Sequence, residues 1–406
     1  MQIIYKSNIL IISLLSLAAG SQLVKQGWLA NTFDPQVYAG WATAVLASQL
    51  LFNFGGLGFH NFSARKSALY ESRGKSLLTN SLISKQLFIY TYLLPLSIPV
   101  IYFLVSKPDA ILFSVMLFYS FVNVLLNAAT IPIYVRNSFM FSSIQSKRGM
   151  GSAAIAIGTC LVTDSLIFTI LNESFFILIL GILTLKSHRL KWSNKTAKFS
   201  WDCKALIPFF IPVVLSTISV SLSRLIAIEV LNDKSLGIYY FIFLLVSFGV
   251  IFQYGLSVFF GPIITSKLET NSKHNMFSFI FKCWISLFFI ALIIGLFSGM
   301  IFPFFVKYFF QDYLPGLVLI FPMLCLAISK ICDIWSVYFL LGGFEKYLYL
   351  PHLVSILIAI LIYFAVVKAD NISLNDMRYF LFGEAFAIFF VPLILFIRER
   401  LREPSD

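Results

Sequence analysis

The chain has 406 residues, 59% apolar and 12% charged, with a formal net charge of +12 and a mean hydropathy of +0.89. So few polar side chains cannot coat a water-soluble globule of this size, which sets aside a soluble protein. The Lys and Arg residues are spread over short loops between apolar runs and form no single stripe, so they reflect membrane topology and not a nucleic-acid partner.

A bilayer core of about 30 Å needs about 20 apolar helical residues. Applied along the chain, that window predicts an all-α polytopic membrane protein of about twelve spans, near 7–30, 37–62, 86–105, 110–134, 150–171, 174–187, 204–230, 236–262, 278–303, 315–341, 349–367 and 377–397. The first apolar run follows a single lysine, Lys6, and continues past Lys25 to Trp28 without a cleavage site. It therefore reads as a span and not as a signal peptide. The sixth, 174–187, is short, and is either tilted, extended toward Trp192, or half of a hairpin with the fifth. Prolines recur within the spans, among them Pro95, Pro99, Pro132, Pro208, Pro212, Pro303 and Pro392, and are expected to bend them.

Alternate connections carry the basic residues: Lys6; Arg65 to Lys85; Arg136, Lys147 and Arg148; Lys186 to Lys204; Lys267 to Lys282; Lys346; and Arg398 to Arg402. The opposite connections hold Lys107, Lys234, Lys307, Lys368 and Arg378 amid Asp34, Asp109, Glu173, Glu229, Asp233, Asp312, Asp370 and Asp376. That asymmetry places both termini in the cytoplasm. The longest connection is basic and separates six spans from six, giving an N-terminal bundle at 1–187, a cytoplasmic linker at 188–203 and a C-terminal bundle at 204–406. No loop is long enough to fold into an extramembrane catalytic domain.

A shift of 199 residues places Asp34 on Asp233, Trp41 on Tyr240, Gly56 on Gly255, Leu57 on Leu256 and Lys25 on Arg224. Each half has an even number of spans, so the halves share an orientation, and a substrate route between them is expected.

Ionisable groups at membrane depth are expensive and usually face a wet cavity or a partner. Lys25 and Arg224 each lie about 24 Å up the first helix of their bundle at a 1.5 Å rise. Two such cations suit an anionic headgroup, Arg224 adding a fork that matches phosphate; the competing reading is that they snorkel to the interface beside Trp28 and Glu229. Asp164, in the fifth span, can neutralise one of these cations or hold a coupling proton or sodium ion. Lys330 and Asp333 are three apart on one helix and can cancel each other. Glu384, near the outer end of the last span, can reach water.

The four histidines, His60, His188, His274 and His352, lack ligand spacing and the five cysteines form no CxxC, so neither a metal nor another cofactor is expected. Gly74-Lys75-Ser76 is a chance match to a phosphate loop, since Leu69 stands where a glycine is needed.

Two similar six-span halves, the start of the second span at Val37-Tyr38-Ala39-Gly40-Trp41 and the segment Ser223 to Leu245 resemble the polysaccharide-transporter branch of the multidrug/oligosaccharidyl-lipid/polysaccharide exporter superfamily. In particular they resemble a Wzx-type O-antigen flippase. The resemblance implies a MATE-like pair of bundles in the bacterial inner membrane that moves an undecaprenyl-diphosphate-linked oligosaccharide between leaflets, driven by a proton or sodium gradient. It also implies a polysaccharide polymerase and a chain-length regulator as partners beside membrane lipid, and a cationic lumen to which Lys25 and Arg224 contribute. Relatives often have Asp before the seventh-span arginine; Ser223 stands there, which puts a coupling role at that place in doubt. The rival readings are a drug/cation antiporter of the same superfamily, which needs acidic lumen sites, and a membrane polymerase or glycosyltransferase, which needs a large catalytic loop.

Overall fold

The computed structural model describes residues 2–56, 59–105, 110–187, 203–250, 252–253, 260, 263–264, 267, 273–341, 347–367 and 372–402. Outside them lie the linker 188–202, most of the eighth span beyond Val250 with Gly255 and Leu256 of the repeat, and the connections holding Lys107, Asp109, Lys346, Lys368 and Asp370.

The described residues are all-helical, as the apolar runs require. The N-terminal half forms α1 (Gln2–Thr32), α2 (Pro35–Gly56), α3 (Phe59–Ser72), α4 (Ser76–Leu104), α5 (Ala110–Arg136), α6 (Ser138–Thr163) and α7 (Leu166–Ser187). The remainder forms α8 (Cys203–Val230), α9 (Asp233–Ile242), α10 (Lys273–Phe309), a 3-10 turn at Gln311–Leu319, α11 (Ile320–Ile331), α12 (Ile334–Leu341), α13 (Tyr349–Val367) and α14 (Met377–Arg402). Among the described residues, nine helical stretches are long and apolar enough to cross a membrane. The polar-flecked α1, α2 and α6 lie outside those nine but have 31, 22 and 26 residues, each enough for a bilayer.

Several boundaries differ from expectation, as where 37–62 divides into α2 and α3, and two of the differences bear on the buried charges. The fifth helix does not run to residue 171: α6 begins twelve residues before the expected position 150 and stops at Asp164, which adopts φ 45° and donates its backbone N–H to the Cys160 carbonyl at 3.2 Å. Asp tolerates this left-handed conformation better than most residues, so an apolar window that averages across it hides a helix end. In consequence the sixth span is a full helix of 22 residues, α7, and not a short segment.

The tenth span is broken. The α11 helix ends at Cys332, and the Asp333 carboxylate then accepts from the Ser336 backbone N–H at 3.2 Å and from its hydroxyl, capping α12. Asp333 still interacts electrostatically with Lys330, as expected, but its carboxylate also serves as a helix cap, to which the Gln253 amide adds a 2.7 Å hydrogen bond. Asp333→Ala is expected to cost about 1–2 kcal/mol, because it removes an N-cap, and to lower the thermal midpoint in detergent.

The contacts gather into two compact units, Met1–Thr32 with Gly40–Thr217, and Phe33–Ala39 with Ile218–Asp406. In unit 1, α1 lies along α6, and α5 packs on α7. The cytoplasm-side end, as the charge pattern assigns it, is tied by Arg136, which donates to Glu71 at 2.8 Å and to Asn80 at 3.3 Å. That hydrogen bond holds the Glu71 carboxyl below its ordinary value. In unit 2 an aromatic core sits between α10, α12 and α14: Trp335 meets Phe396 at 4.3 Å, and Phe277 meets the same ring at 4.7 Å. The outer stripe of α10, Phe289, Ile293, Phe297, Ile301 and Phe304, is exposed at helical spacing, as a surface facing hydrocarbon should be.

Candidate functional site

In unit 1 the site begins with small residues. A Cβ at position 149 would lie 2.7 Å from the Ala18 Cα, so only glycine lets α6 approach α1 this closely. The approach carries the Gln22 amide to the Gly149 carbonyl at 3.0 Å. One turn further along α1, Lys25 Nζ donates to Glu173 Oε1 of α7 at 2.8 Å, and both residues are buried, at 3% and 4% exposure. The same Oε1 accepts from the Tyr119 hydroxyl of α5 at 3.0 Å and from the Ser152 hydroxyl of α6. A single carboxylate oxygen thus joins four helices.

Beside this centre opens a cavity of about 380 Å³. Amides line it at i,i+4 spacing on three helices: Gln22 and Gln26 on α1, Gln49 and Asn53 on α2, Asn123 and Asn127 on α5. Trp41, Phe52 and Tyr119 supply aromatic faces, and Arg148 of α6 brings a second cation. Its guanidinium donates to the Asn123 side-chain oxygen and, at 3.4 Å, to Gln145; Asn123 in turn donates to the Tyr119 carbonyl at 2.7 Å. Two cations against one carboxylate leave the cavity with a positive balance. Its amides offer both donors and acceptors, the pattern that suits an anion carrying hydroxyl groups.

Unit 2 holds a second buried charge cluster. Arg224 of α8 lies with its guanidinium 5.0 Å from the Phe243 ring centre, a cation–π contact, and interacts electrostatically with Glu384, Tyr239 and Tyr240. Glu384 of α14 also takes the Ser223 hydroxyl at 3.4 Å and the Lys330 ammonium at 3.6 Å. Here too a cation on the first helix and a carboxylate on the last helix of the unit belong to one cluster, with another cation beside them.

Lys25 and Arg224 thus lie inside helices with partners other than the neighbours Trp28 and Glu229. Three expectations for the acids are corrected. Asp164 is exposed at the end of α6, and the acid that meets Lys25 is Glu173, which the hydropathy window had put in an outer loop. Lys330 pairs with Glu384 across two helices. Glu384 is 4% exposed and does not reach water. Arg148, assigned from its charge to a cytoplasmic connection, sits ten residues into α6, beside the cavity. The three i,i+4 amide pairs were the signal in the sequence that a polar cavity runs along these helices.

No family model matches the sequence, and no curated protein matches it. Solved structures do. The chain superposes on a mutant of the Vibrio cholerae MATE transporter VcmN with a TM-score of 0.67, at 12% identity, over 99% of this chain and 97% of that one. It superposes on the MATE multidrug transporter DinF-BH at 0.70, with 13% identity and 98% and 96% coverage. An inward-facing multidrug resistance MATE family transporter of the MOP superfamily gives 0.59 at 13% identity, over 97% of this chain and 98% of that one. At such identities the likeness is one of fold: this is a multi-pass α-helical membrane protein with the architecture of MATE transporters.

Proposed function

We propose that this protein is a transporter in the bacterial inner membrane that carries an undecaprenyl-diphosphate-linked oligosaccharide between leaflets by alternating access, coupled to a proton or sodium gradient. The observation that carries the reading is the unit 1 cavity, where Lys25 and Arg148 face a single carboxylate among paired amides. Buried cations stabilise a diphosphate, and Gln and Asn amides match sugar hydroxyls. Arg224 and Lys330 place two further buried cations in unit 2, beside the carboxylates of Glu384 and Asp333. On this reading the flipped unit is passed to a polysaccharide polymerase and a chain-length regulator, and no nucleic acid is involved.

Complementation of a flippase-deficient O-antigen strain, supplied with the matching sugar-synthesis genes, tests the proposal. The intact gene is expected to restore surface polysaccharide, and Lys25→Ala or Arg224→Ala to abolish it when compared at matched membrane levels of protein. Accumulation of lipid-linked units on the cytoplasmic leaflet despite normal insertion of the intact protein would overturn it.

A second reading, export of cationic drugs in exchange for an ion, is favoured by the fold likeness to multidrug transporters. It needs an acid free to take a cation, and the acid of the unit 1 cavity, Glu173, is already engaged by Lys25, Tyr119 and Ser152. Drug resistance conferred in a susceptible strain, without complementation of the flippase defect, would favour it.

A further inference from the structure

Three donors from three different helices, Lys25 Nζ, the Tyr119 hydroxyl and the Ser152 hydroxyl, converge on one oxygen, Glu173 Oε1. We propose that these three groups form the phosphate subsite of the transporter, and that the Glu173 carboxylate is its resident occupant, which a phosphate oxygen of the diphosphate displaces. The proposal rests on the lipid-diphosphate reading above and gives that reading its first atomic subsite.

The geometry supports this in three ways. A carboxylate oxygen and a phosphate oxygen ask for the same donors, an ammonium and two hydroxyls, so the cradle is built for either. Lys25 and Glu173 both line the 380 Å³ cavity, so an anion entering it meets the pair directly. Arg148, in the same cavity and bound to the Asn123 amide, is placed to take a second phosphate oxygen. A resident carboxylate also has a consequence for transport. It keeps Lys25 neutralised while the cavity is empty, and competes with substrate so that the diphosphate can leave. The titratable and charged groups facing Glu173 are Lys25 from α1, Tyr119 from α5 and Arg148 from α6. Glu173→Gln keeps the shape and an acceptor oxygen but removes the competing charge.

The test uses the full-length protein in nanodiscs with farnesyl diphosphate as the probe. Binding is measured for the unaltered protein, Glu173→Gln, Lys25→Gln and the double variant. In parallel, reductive methylation of Lys25 is followed by peptide mass spectrometry, which reads the release of the lysine without any ligand. Glu173→Gln is expected to bind the probe at least tenfold more tightly and to speed Lys25 methylation by a similar factor. The affinity gain should vanish in the double variant, and Ser152→Ala or Tyr119→Phe should weaken binding several-fold. If the unaltered protein binds the probe through Lys25 but Glu173→Gln changes neither affinity nor methylation, the pair is a structural tie and the subsite assignment fails alone. If methylation accelerates but no form binds the diphosphate, the lipid-diphosphate reading fails and the subsite falls with it. A Glu173→Gln protein that unfolds is replaced by Glu173→Asp, whose shorter side chain withdraws from the cradle and should give the same gain in smaller measure; no gain there overturns the proposal.

Discussion

Glu173→Leu is expected to destabilise the protein by about 3–5 kcal/mol, and adding Lys25→Met to recover most of that loss. The single variant leaves an ammonium buried at 3% exposure, with its carboxylate partner gone. At that exposure the cavity brings little water to the charge, and the surrounding hydroxyls of Tyr119 and Ser152 can only partly solvate it. Replacing both members with apolar side chains of similar volume removes the desolvation cost together with the attraction. The comparison is made on detergent-purified protein by thermal unfolding followed through fluorescence-detected size exclusion. Equal losses in the single and the double variant would show that the pair stabilises mainly through its packing and not through its charge. The same double variant should leave the protein folded but unable to complement, which separates the stability of the pair from its use.

Gly237→Ala is expected to cost about 3 kcal/mol or more, at the upper end of overpacking effects, whereas Gly40→Ala should be neutral or stabilise by about 0.5–1 kcal/mol. A Cβ at 237 would overlap the Pro35 carbonyl oxygen and lie 2.5 Å from its carbon. Both are backbone atoms and no rotamer relieves the clash. Relief requires moving α9 away from the segment 33–39, which is held by the edge-on contact of Tyr38 with Tyr313 at 6.2 Å. At Gly40, on α2, an added methyl meets nothing within 4 Å, so only the gain in helix propensity remains. Thermal midpoints of the two variants against the parent decide this, and a Gly237→Ala protein as stable as the parent would mean that α9 yields cheaply.

Much of the fold was legible in the chain because membrane insertion is decided locally. A helix in lipid must satisfy its own backbone and bury its own length of hydrocarbon, so runs such as 349–367 announce themselves within one window, and α13 occupies those residues. The window fails where a turn costs few polar residues. Asp164 and Ser165 interrupt an apolar stretch so briefly that averaging placed the helix end eight residues too late and moved Glu173 out of the membrane. The same averaging took Arg148 for a loop residue, although α6 had begun ten residues before it.

By itself the sequence determined that this is an all-helical polytopic membrane protein, and that Lys25 and Arg224 are charges in need of a reason. Which acid answers each cation was decided only by tertiary structure. Lys25 and Glu173 are 148 residues apart, and Lys330 finds Glu384 on another helix in addition to Asp333 nearby in the chain. Hydropathy reports how much each residue resists lipid but carries no information about which neighbour relieves that cost. That depends on close helix approaches such as Ala18 on Gly149, which no single helix specifies.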